Sequence, residues 1–245
     1  MLNHPHLKFT NTLSSVLPKL TLVSLPAVGP PQLYVFGKPA DASAPATAPA
    51  GQYIVAAGQV RLHGPGTAPG HFYHGSCDAD GVKQGSGREL FPDGAVYEGD
   101  YADGKRCGQG VLRLNATTYY RGGFQAGLFD GSGVLHSDTV TMAGTWEKGQ
   151  LNGTCTITYG DGSVFQGDSK DSTRHGQGTL TSKDGSTYIG EWQDDCRSGN
   201  GTQTWTGGLS YTGGWKGDVF HGQGARTFPS GKVETGEYEN GELCS

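Results

Sequence analysis

Residues 99–106 are the part of the sequence closest to a nucleotide-binding motif. Gly99, Gly104 and Lys105 have the Gly-x-x-x-x-Gly-Lys spacing of a P-loop, whose backbone N–H groups surround phosphates. A P-loop also needs Ser or Thr directly after the lysine to bind Mg²⁺, and this chain has Arg106 there. The mismatch argues against a nucleotide site.

Histidines and glutamates are the next candidates for chemistry, as acid–base catalysts. His175 and His221 each precede a Gly-Gln-Gly segment, but they are two repeats apart, so we do not expect them to meet. The glutamates are spread along the chain, which is typical of a solvated face rather than of paired catalytic carboxylates: Glu98, Glu147, Glu191 and Glu237. The five cysteines include no Cys-x-x-Cys motif. We therefore expect no enzymatic activity, no metal and no cofactor.

Composition indicates a β-rich chain whose charge is unevenly distributed. Glycine supplies 43 of the 245 residues and aromatic residues supply 10%, which argues against both a helical and a disordered protein. Residues 1–71 carry a net charge of +3, whereas residues 72–245, with 14 basic and 22 acidic side chains, carry −8. Nucleic-acid binding requires basic patches, so we expect none here. The same charge disfavours binding to anionic lipid.

A repeat of about 23 residues organises the chain after residue 71. Each period has an aromatic anchor, a glycine two residues later and a Gly-x-Gly pair about nine residues after that glycine. The anchors are Tyr73, Tyr97, Tyr120, Phe165, Tyr188 and Tyr211, with Met142 and Glu234 in the remaining two periods. The pair is broken at Gly153-Thr-Cys155, so we predict a local irregularity in the repeat at 143–164.

Each period divides into two strands that must position these residues. Tyr97, Gly99 and Tyr101 alternate, so they share one face of a strand, and Gly110 and Leu112 continue that face on the return strand. Glycine is needed because a ring on the paired strand has to lie over flat backbone. Dipeptides such as Asp-Gly between the repeats predict turns with positive φ. Because one hairpin is marginal in water, we predict an all-β, elongated, single-layer antiparallel solenoid of stacked β-hairpins.

This pattern, as it stands in residues 97–110 (Tyr-Glu-Gly-Asp-Tyr-Ala-Asp-Gly-Lys-Arg-Cys-Gly-Gln-Gly), resembles the MORN (membrane occupation and recognition nexus) repeat. The resemblance covers residues 72–245, as seven repeats and a terminal half. It implies a non-enzymatic scaffold that binds a protein partner, often in a cytoskeletal or membrane-associated assembly in the cytoplasm. Enzymes of this family carry a separate catalytic domain, and we expect none because the chain ends inside a repeat. The alternative is a peripheral membrane adaptor that binds phospholipid headgroups.

The aromatic residues are the candidate partner-binding site, and two interpretations of them stay open. They either form the core between repeats or leave some rings open along a groove for a helix or an extended peptide. The candidates are Tyr97, Tyr101, Tyr120, Phe124, Trp146, Tyr188, Trp192, Tyr211 and Trp215.

The two ends of the chain carry separate expectations. Residues 1–51 have the composition of a disordered tail with an Ala/Pro linker, although a docking peptide or a targeting signal stays open. Residues 52–71 are predicted to form a degenerate capping hairpin. At the other end we expect an eighth unit without a return strand. That would leave Trp215, Phe228 and Tyr238 half covered at an edge that favours a homodimer.

Overall fold

The computed structural model of the protein describes residues 52–54, 60–62 and 71–244. Every regular element in these residues is a β-strand. The strands are β1 (Gln52–Ile54), β2 (Val60–Leu62), β3 (Phe72–Cys77), β4 (Lys83–Leu90), β5 (Val96–Ala102), β6 (Lys105–Arg113), β7 (Tyr119–Gln125), β8 (Leu128–His136), β9 (Val140–Glu147), β10 (Gln150–Tyr159), β11 (Val164–Lys170), β12 (Thr173–Thr181), β13 (Thr187–Gln193), β14 (Cys196–Thr204), β15 (Ser210–Lys216), β16 (Val219–Thr227), β17 (Val233–Glu239) and β18 (Glu242–Leu243).

Each strand pairs antiparallel with the next one in the chain, which produces a single open sheet with meander topology. Glycines lie opposite each other at the same place in successive hairpins. The pairs are Gly75–Gly87, Gly99–Gly110, Gly122–Gly133, Gly167–Gly178, Gly190–Gly201 and Gly213–Gly224. The predicted solenoid of antiparallel hairpins is confirmed.

Two kinds of turn connect the strands. Glycines between repeats have the positive φ that the dipeptides predicted, for example Gly94 at 87° and Gly162 at 94°. A second kind of turn lies inside each repeat, where Asp103 (49°) and Gly104 (74°) connect β5 to β6 in the manner of a two-residue hairpin turn. Several of these inner turns use residues other than glycine, such as Ala126 at 50°. The glycine pattern alone therefore did not reveal them.

The two glycines of each Gly-x-Gly pair do different things. Gly108, the first, has a φ of 57° and lies where the register between β5 and β6 shifts at a β-bulge. Gly110, the second, lies under the ring of Tyr97. A Cβ on Gly110 would be 2.5 Å from Tyr97 Oη and 2.6 Å from Tyr97 Cε2. The prediction that this glycine makes room for a ring is confirmed.

The repeat that lacks the second glycine keeps the register of the others. Cys155 lies opposite Gly144, as the second glycine lies opposite its partner elsewhere. The predicted irregularity at 143–164 is therefore wrong. Met142 stands in place of the anchor ring, and both Met142 and Cys155 are buried. Because methionine is narrow and flexible, it leaves room for the cysteine side chain.

The N-terminal strands extend the sheet beyond the first repeat. β1 pairs with β2, and Val60 and Arg61 of β2 pair with Gly75 and His74 of β3. The tail and linker assigned to 1–51 lie outside the described residues. The division of the chain into that tail, a cap at 52–71 and a rod at 72–245 stays a prediction.

The C-terminal end is more complete than the sequence indicated. β18 is a two-residue return strand that pairs Leu243 with Tyr238, so the expectation of no return strand is wrong. Trp215 and Tyr238 are buried, and Phe228 is half-buried. The ring of Phe220 covers both Trp215 and Tyr238, with ring centroids 4.8 and 5.8 Å away. Trp215 and Tyr238 therefore form no exposed dimer edge.

Candidate functional site

Two stacks of aromatic rings lie on one face of the sheet, here called the inner face. One runs from Tyr73 to Trp146 and the other from Phe165 to Tyr238, and Met142 and Leu151 lie between them. Tyr188 contacts Trp192 of its own strand edge-to-face, with ring centroids 5.1 Å apart. It also contacts Trp215 of the next repeat at 5.2 Å. The same arrangement joins Tyr97 to Tyr101 and Phe124. Edge-to-face pairs of this kind stabilise a protein beyond the area they bury.

The nine candidate partner-binding rings all belong to these two stacks and are all buried. None is more than 4% exposed: Tyr97, Tyr101, Tyr120, Phe124, Trp146, Tyr188, Trp192, Tyr211 and Trp215. The expectation that some of these rings remain open along a groove is therefore wrong. They are closed because each repeat covers the rings of its own hairpin and of the next one.

The phenol groups in the stacks are structural hydrogen-bond donors. Tyr188 Oη donates to the carbonyl of Glu191 at 2.9 Å, and Tyr211 Oη donates to the carbonyl of Gly214 at 3.0 Å. These carbonyls lie beside the β-bulge of each hairpin. Burial raises the pKa of Tyr188 to about 12, so its phenol stays protonated near neutral pH.

One position in each return strand covers the rings, and we call it the covering position. It lies two residues before the first glycine of each pair. Its residues are Lys83, Arg106, Phe129, Leu151, Arg174, Arg197 and Phe220. Phe129 stacks on Tyr120 at 3.7 Å between centroids, and Phe220 stacks on Tyr211 at 3.8 Å. The covering position therefore closes the stacks with either an apolar residue or a cation.

A second position joins each covering residue to the next repeat, and we call it the paired turn position. It is the second residue of the inner turn, and its N–H donates to the carbonyl of the preceding covering residue at 2.8–3.1 Å. Its residues are Gly104, Gly127, Gly149, Ser172, Asp195, Asp218 and Gly241. Because this hydrogen bond recurs along the rod, it connects each hairpin to the one before it.

Two of the covering cations form ion pairs with aspartates at the paired turn position. The guanidinium carbon of Arg197 lies 4.3 Å from the ring centroid of Trp215. Asp218 Oδ1 accepts hydrogen bonds from Arg197 Nε at 3.0 Å and from Arg197 N at 2.9 Å. Arg174 lies over Trp192 in the same way and donates from Nε and N to Asp195. Burial raises the pKa of Asp195 although Arg174 opposes the shift.

A buried carboxylate closes the first repeat. Glu89 is 4% exposed, and it accepts hydrogen bonds from Lys83, from His71 and from Tyr101 Oη, the last at 2.6 Å. Burial opposes the charge on Glu89, but the hydrogen bonds from Lys83, Tyr101 and His71 together hold its pKa below the usual value. Burial and the contact with Glu89 raise the pKa of Tyr101 far above its usual value. The Glu89 carboxyl group therefore stays ionised near neutral pH.

The opposite face of the sheet, here called the outer face, carries two rows of uncharged residues from β9 to β17. Neighbours in each row are register partners on adjacent strands. One row is Ala143, Thr156, Gln166, Thr179, Ile189, Thr202, Thr212, Ala225 and Thr235; the other is Thr141, Thr158, Val164, Thr181, Thr187, Thr204, Ser210, Thr227 and Val233. At about 4.8 Å per strand they span about 38 Å. We call these two rows the threonine face.

The threonine face contrasts with the outer face of the first repeats. There the equivalent row contains Arg88, Glu98 and Arg121, and Arg88 Nε lies 3.0 Å from Glu98 Oε1. On the threonine face, Ile189 is 58% exposed and Val233 is 52% exposed. An uncharged, β-branched surface of this length is therefore available to another molecule.

The structure does not bring the remaining sequence candidates together. His175 and His221 lie on β12 and β16, four strands and about 19 Å apart. Glu98 pairs with Arg88, and Glu191 Oε1 accepts a hydrogen bond from the N–H of Asn200 at 2.9 Å. Among residues 71–244, no three His, Cys, Asp or Glu side chains lie close enough to hold a metal ion.

The covering and paired turn positions were missed in the sequence, although a signal for them exists. The aromatic residues and glycines of the repeat define one strand face, and the covering position is not among them. Its residues recur at the same period but differ in type, from Lys and Arg to Phe and Leu. Aspartates at 195 and 218 follow the arginines at 174 and 197 by 21 residues each. This correlation could have identified the pair.

The MORN repeat model matches the chain seven times, at residues 79–96, 97–115, 120–139, 143–164, 165–187, 188–210 and 211–233. The matches cover more than half of the chain. The protein belongs to the MORN repeat family. Its hairpins are thus MORN repeats, and the covering and paired turn positions describe how successive MORN repeats close on each other in this member.

Two of the solved structures that match this chain do so with low similarity. The TCP domain of SAS-4 (dCPAP) of Drosophila melanogaster, in complex with a proline-rich motif of Ana2 (dSTIL), is 13% identical. The match covers 63% of this chain and 85% of that chain, with a TM-score of 0.38. The wild-type TCP10 domain of Danio rerio CPAP is 14% identical over 70% of this chain and 92% of that chain, with a TM-score of 0.24. These scores carry no inference about the function of this MORN protein.

No curated protein matches the sequence significantly. In the part of the chain that the structure describes, no helix is long and apolar enough to cross a membrane.

Proposed function

We propose that this MORN-repeat chain is a non-enzymatic scaffold that binds a protein partner on the threonine face, within a cytoskeletal or membrane-associated assembly of the cytoplasm. The observation that supports this proposal is the run of two uncharged rows across nine strands. Protein interfaces are depleted in charge at their centre. The aromatic rings are buried and hold the repeats together, so we place the main contact surface for the partner on the other side of the sheet.

Exposed apolar residues on the threonine face favour protein over lipid as the ligand. Ile189 and Val233 are more than half exposed, and no cation lies in either row. A peripheral adaptor for phospholipid headgroups would need cations at its contact surface. The lipid alternative therefore rests on basic residues elsewhere in the chain.

A charged substitution in the centre of the threonine face tests the proposal. Full-length wild type, Ile189→Arg and Gln193→Arg are used to capture proteins from a lysate, with quantification by mass spectrometry. Gln193 lies on the same strand, is exposed and is outside both rows. We expect proteins captured by wild type and by Gln193→Arg to be lost from Ile189→Arg.

The same three proteins also separate the alternatives. Equal capture by all three contradicts the threonine face as the binding surface. Salt-sensitive co-sedimentation of wild type with anionic vesicles, unchanged by Ile189→Arg, favours the lipid adaptor. Light scattering on the full-length chain reports whether the partner is a second copy.

A further inference from the structure

Arg106 occupies the covering position in the same way as Arg174 and Arg197 but lacks their carboxylate. Its guanidinium carbon lies 5.7 Å from the ring centroids of Tyr97 and Phe124. Its Nη2 donates to the carbonyl of the residue 21 positions later, Gly127, at 2.9 Å. Arg174 and Arg197 make the equivalent bonds to Asp195 and Asp218 carbonyls at 2.6 and 3.0 Å. All three repeats share the carbonyl bond and the contact with the ring of their own hairpin, whereas Arg174 and Arg197 lie closer to the ring of the next repeat, at 4.1 and 4.3 Å.

The difference between the repeats is the side chain at the paired turn position. Asp195 and Asp218 each place one carboxylate oxygen between the Nε and the backbone N–H of the arginine. Gly127 has no side chain, and apart from its own atoms and those of its two chain neighbours no atom lies within 4 Å of where its Cβ would be. In residues 71–244, no carboxylate accepts a hydrogen bond from Arg106 or pairs with its charge. The position of the missing carboxylate is thus open space.

A cleft lies at this open position and carries an excess of positive charge. It has a volume of about 280 Å³ and is lined by Arg106, Gly127, Lys105 and Lys83 among others. The charge of Lys83 is matched by Glu89, which also lines the cleft and already accepts three hydrogen bonds. Lys105 is exposed. The cleft therefore has a net charge of about +2 on a rod of net charge −8, which would attract a carboxylate locally.

We propose that this cleft binds the side chain of an aspartate in an acidic segment of a protein partner. That aspartate lies over Gly127 and accepts hydrogen bonds from Arg106 Nε and Arg106 N, as Asp195 and Asp218 do for their arginines. Lys105 supplies a second cation at the cleft for a neighbouring acidic residue. The proposal rests on the proposed function in one respect, that the chain binds a protein.

The internal repeats favour an aspartate over a phosphate group. In both complete repeats one carboxylate oxygen accepts both hydrogen bonds, and the carbonyl of the same residue accepts the third. A peptide aspartate reproduces the carboxylate part of this arrangement. The phosphate of a lipid headgroup is the competing anion, and it is one outcome of the test below.

Supplying the carboxylate within the chain tests the site without any partner. Gly127→Asp is compared with Gly127→Asn, because both residues tolerate positive φ and differ in charge. We expect Gly127→Asp to melt about 2–4 °C higher than Gly127→Asn, and we expect the difference to vanish when Arg106→Gln is added. Equal melting temperatures, or a difference that persists without Arg106, would overturn the proposed carboxylate position.

Binding of a defined probe tests the docking itself. A short fluorescent peptide of alternating Asp and Gly, blocked at both ends, is titrated into the full-length chain at low salt, beside an Asn and Gly control peptide. We expect the Asp peptide to bind, and both Arg106→Gln and Gly127→Asp to weaken it about tenfold or more. Lys216→Gln, which removes the same charge from an exposed site, is expected to bind as wild type does.

Three outcomes of the titration contradict the proposal. They are no difference between the two peptides, no effect of Arg106→Gln, and Arg106-dependent binding to vesicles of phosphatidylcholine with phosphatidylinositol bisphosphate but not to the Asp peptide. If Ile189→Arg captured the same proteins as wild type, the proposed function would fail, but the melting test at Gly127 would be unaffected. Failure of the two proposals is therefore distinguishable.

Discussion

The repeat formed by β9 and β10 and the one formed by β13 and β14 close the inner face of the sheet with opposite chemistry. In the first, Leu151 is the covering residue and is completely buried, and Ser172 Oγ accepts its N–H at 3.0 Å. In the second, Arg197 covers Trp215, and Asp218 accepts both its N–H and its guanidinium Nε. The backbone contact is equivalent, and in these two repeats the side chain at the paired turn position matches the covering residue.

The comparison teaches that a single repeat geometry tolerates an apolar or a cationic cover, and that in two repeats the next hairpin supplies the matching side chain. Leu151 needs only an acceptor for its N–H, whereas Arg197 needs a carboxylate. The next hairpin supplies none to Lys83 or Arg106; Lys83 pairs with Glu89 of its own strand, whereas no carboxylate of residues 71–244 pairs with Arg106. The repeats are therefore alike in backbone but differ in which of them depend on charge.

The largest expected effect comes from exchanging the covers. Leu151→Arg places a cation where Ser172 offers no carboxylate, and we expect a loss of about 3–5 kcal/mol because the charge is buried and unpaired. Adding Ser172→Asp should recover part of the loss. Leu128→Arg, at a residue that is 48% exposed, is the control and should stay within about 0.5 kcal/mol of wild type. Urea unfolding gives the free energy of unfolding of wild type, the two single variants and the double variant. A Leu151→Arg protein as stable as wild type would contradict the role of the covering position.

A second prediction tests the contact that both kinds of repeat share. Gly110→Val would bring a branched side chain against the ring of Tyr97, and we expect a loss of about 2–3 kcal/mol from overpacking. Gln109→Val, at the exposed neighbouring residue, should have little effect. An unchanged melting temperature for Gly110→Val would contradict the role of glycine under the ring.

The first repeat provides a pH-dependent version of the comparison. Because its pKa is lowered in the folded protein, Glu89 stabilises the fold above its unfolded pKa of about 4.3, and this contribution is lost as the pH falls through the folded value. We expect Glu89→Gln to cost about 1–2 kcal/mol at neutral pH and to lose less stability than wild type on acidification. The exposed Glu98→Gln is the control. Parallel stability–pH curves for wild type and Glu89→Gln would contradict the prediction.

The smallest expected effect concerns the compensated pair of the central repeat. Met142→Tyr alone should clash with Cys155, and Cys155→Gly alone should leave a small cavity. The double variant restores the ring-on-glycine arrangement of the other repeats, so we expect a favourable coupling of about 1 kcal/mol between the two changes. Additive effects on the free energy of unfolding would mean that the two residues do not compensate.

The sequence predicted the fold well because the strongest constraints are local and repeated. A ring such as Tyr97 requires glycine at 110, and this requirement recurs with the period. Burial of the nine candidate rings could not be predicted, since it depends on how closely the next hairpin packs. The covering position was missed because its residues share a place and not a chemical type. Compensation between Met142 and Cys155 was missed because only packing in three dimensions joins them.

The account rests most on the claim that the covering residue and the paired turn residue act as one unit between successive repeats. A double-mutant cycle with Arg197→Gln and Asp218→Asn, measured by urea unfolding at low and high salt, tests it directly. We predict a coupling free energy of about 1–2 kcal/mol at low salt, which decreases at high salt because part of it is electrostatic. A coupling below about 0.3 kcal/mol at low salt, within the error of additivity, would contradict the account.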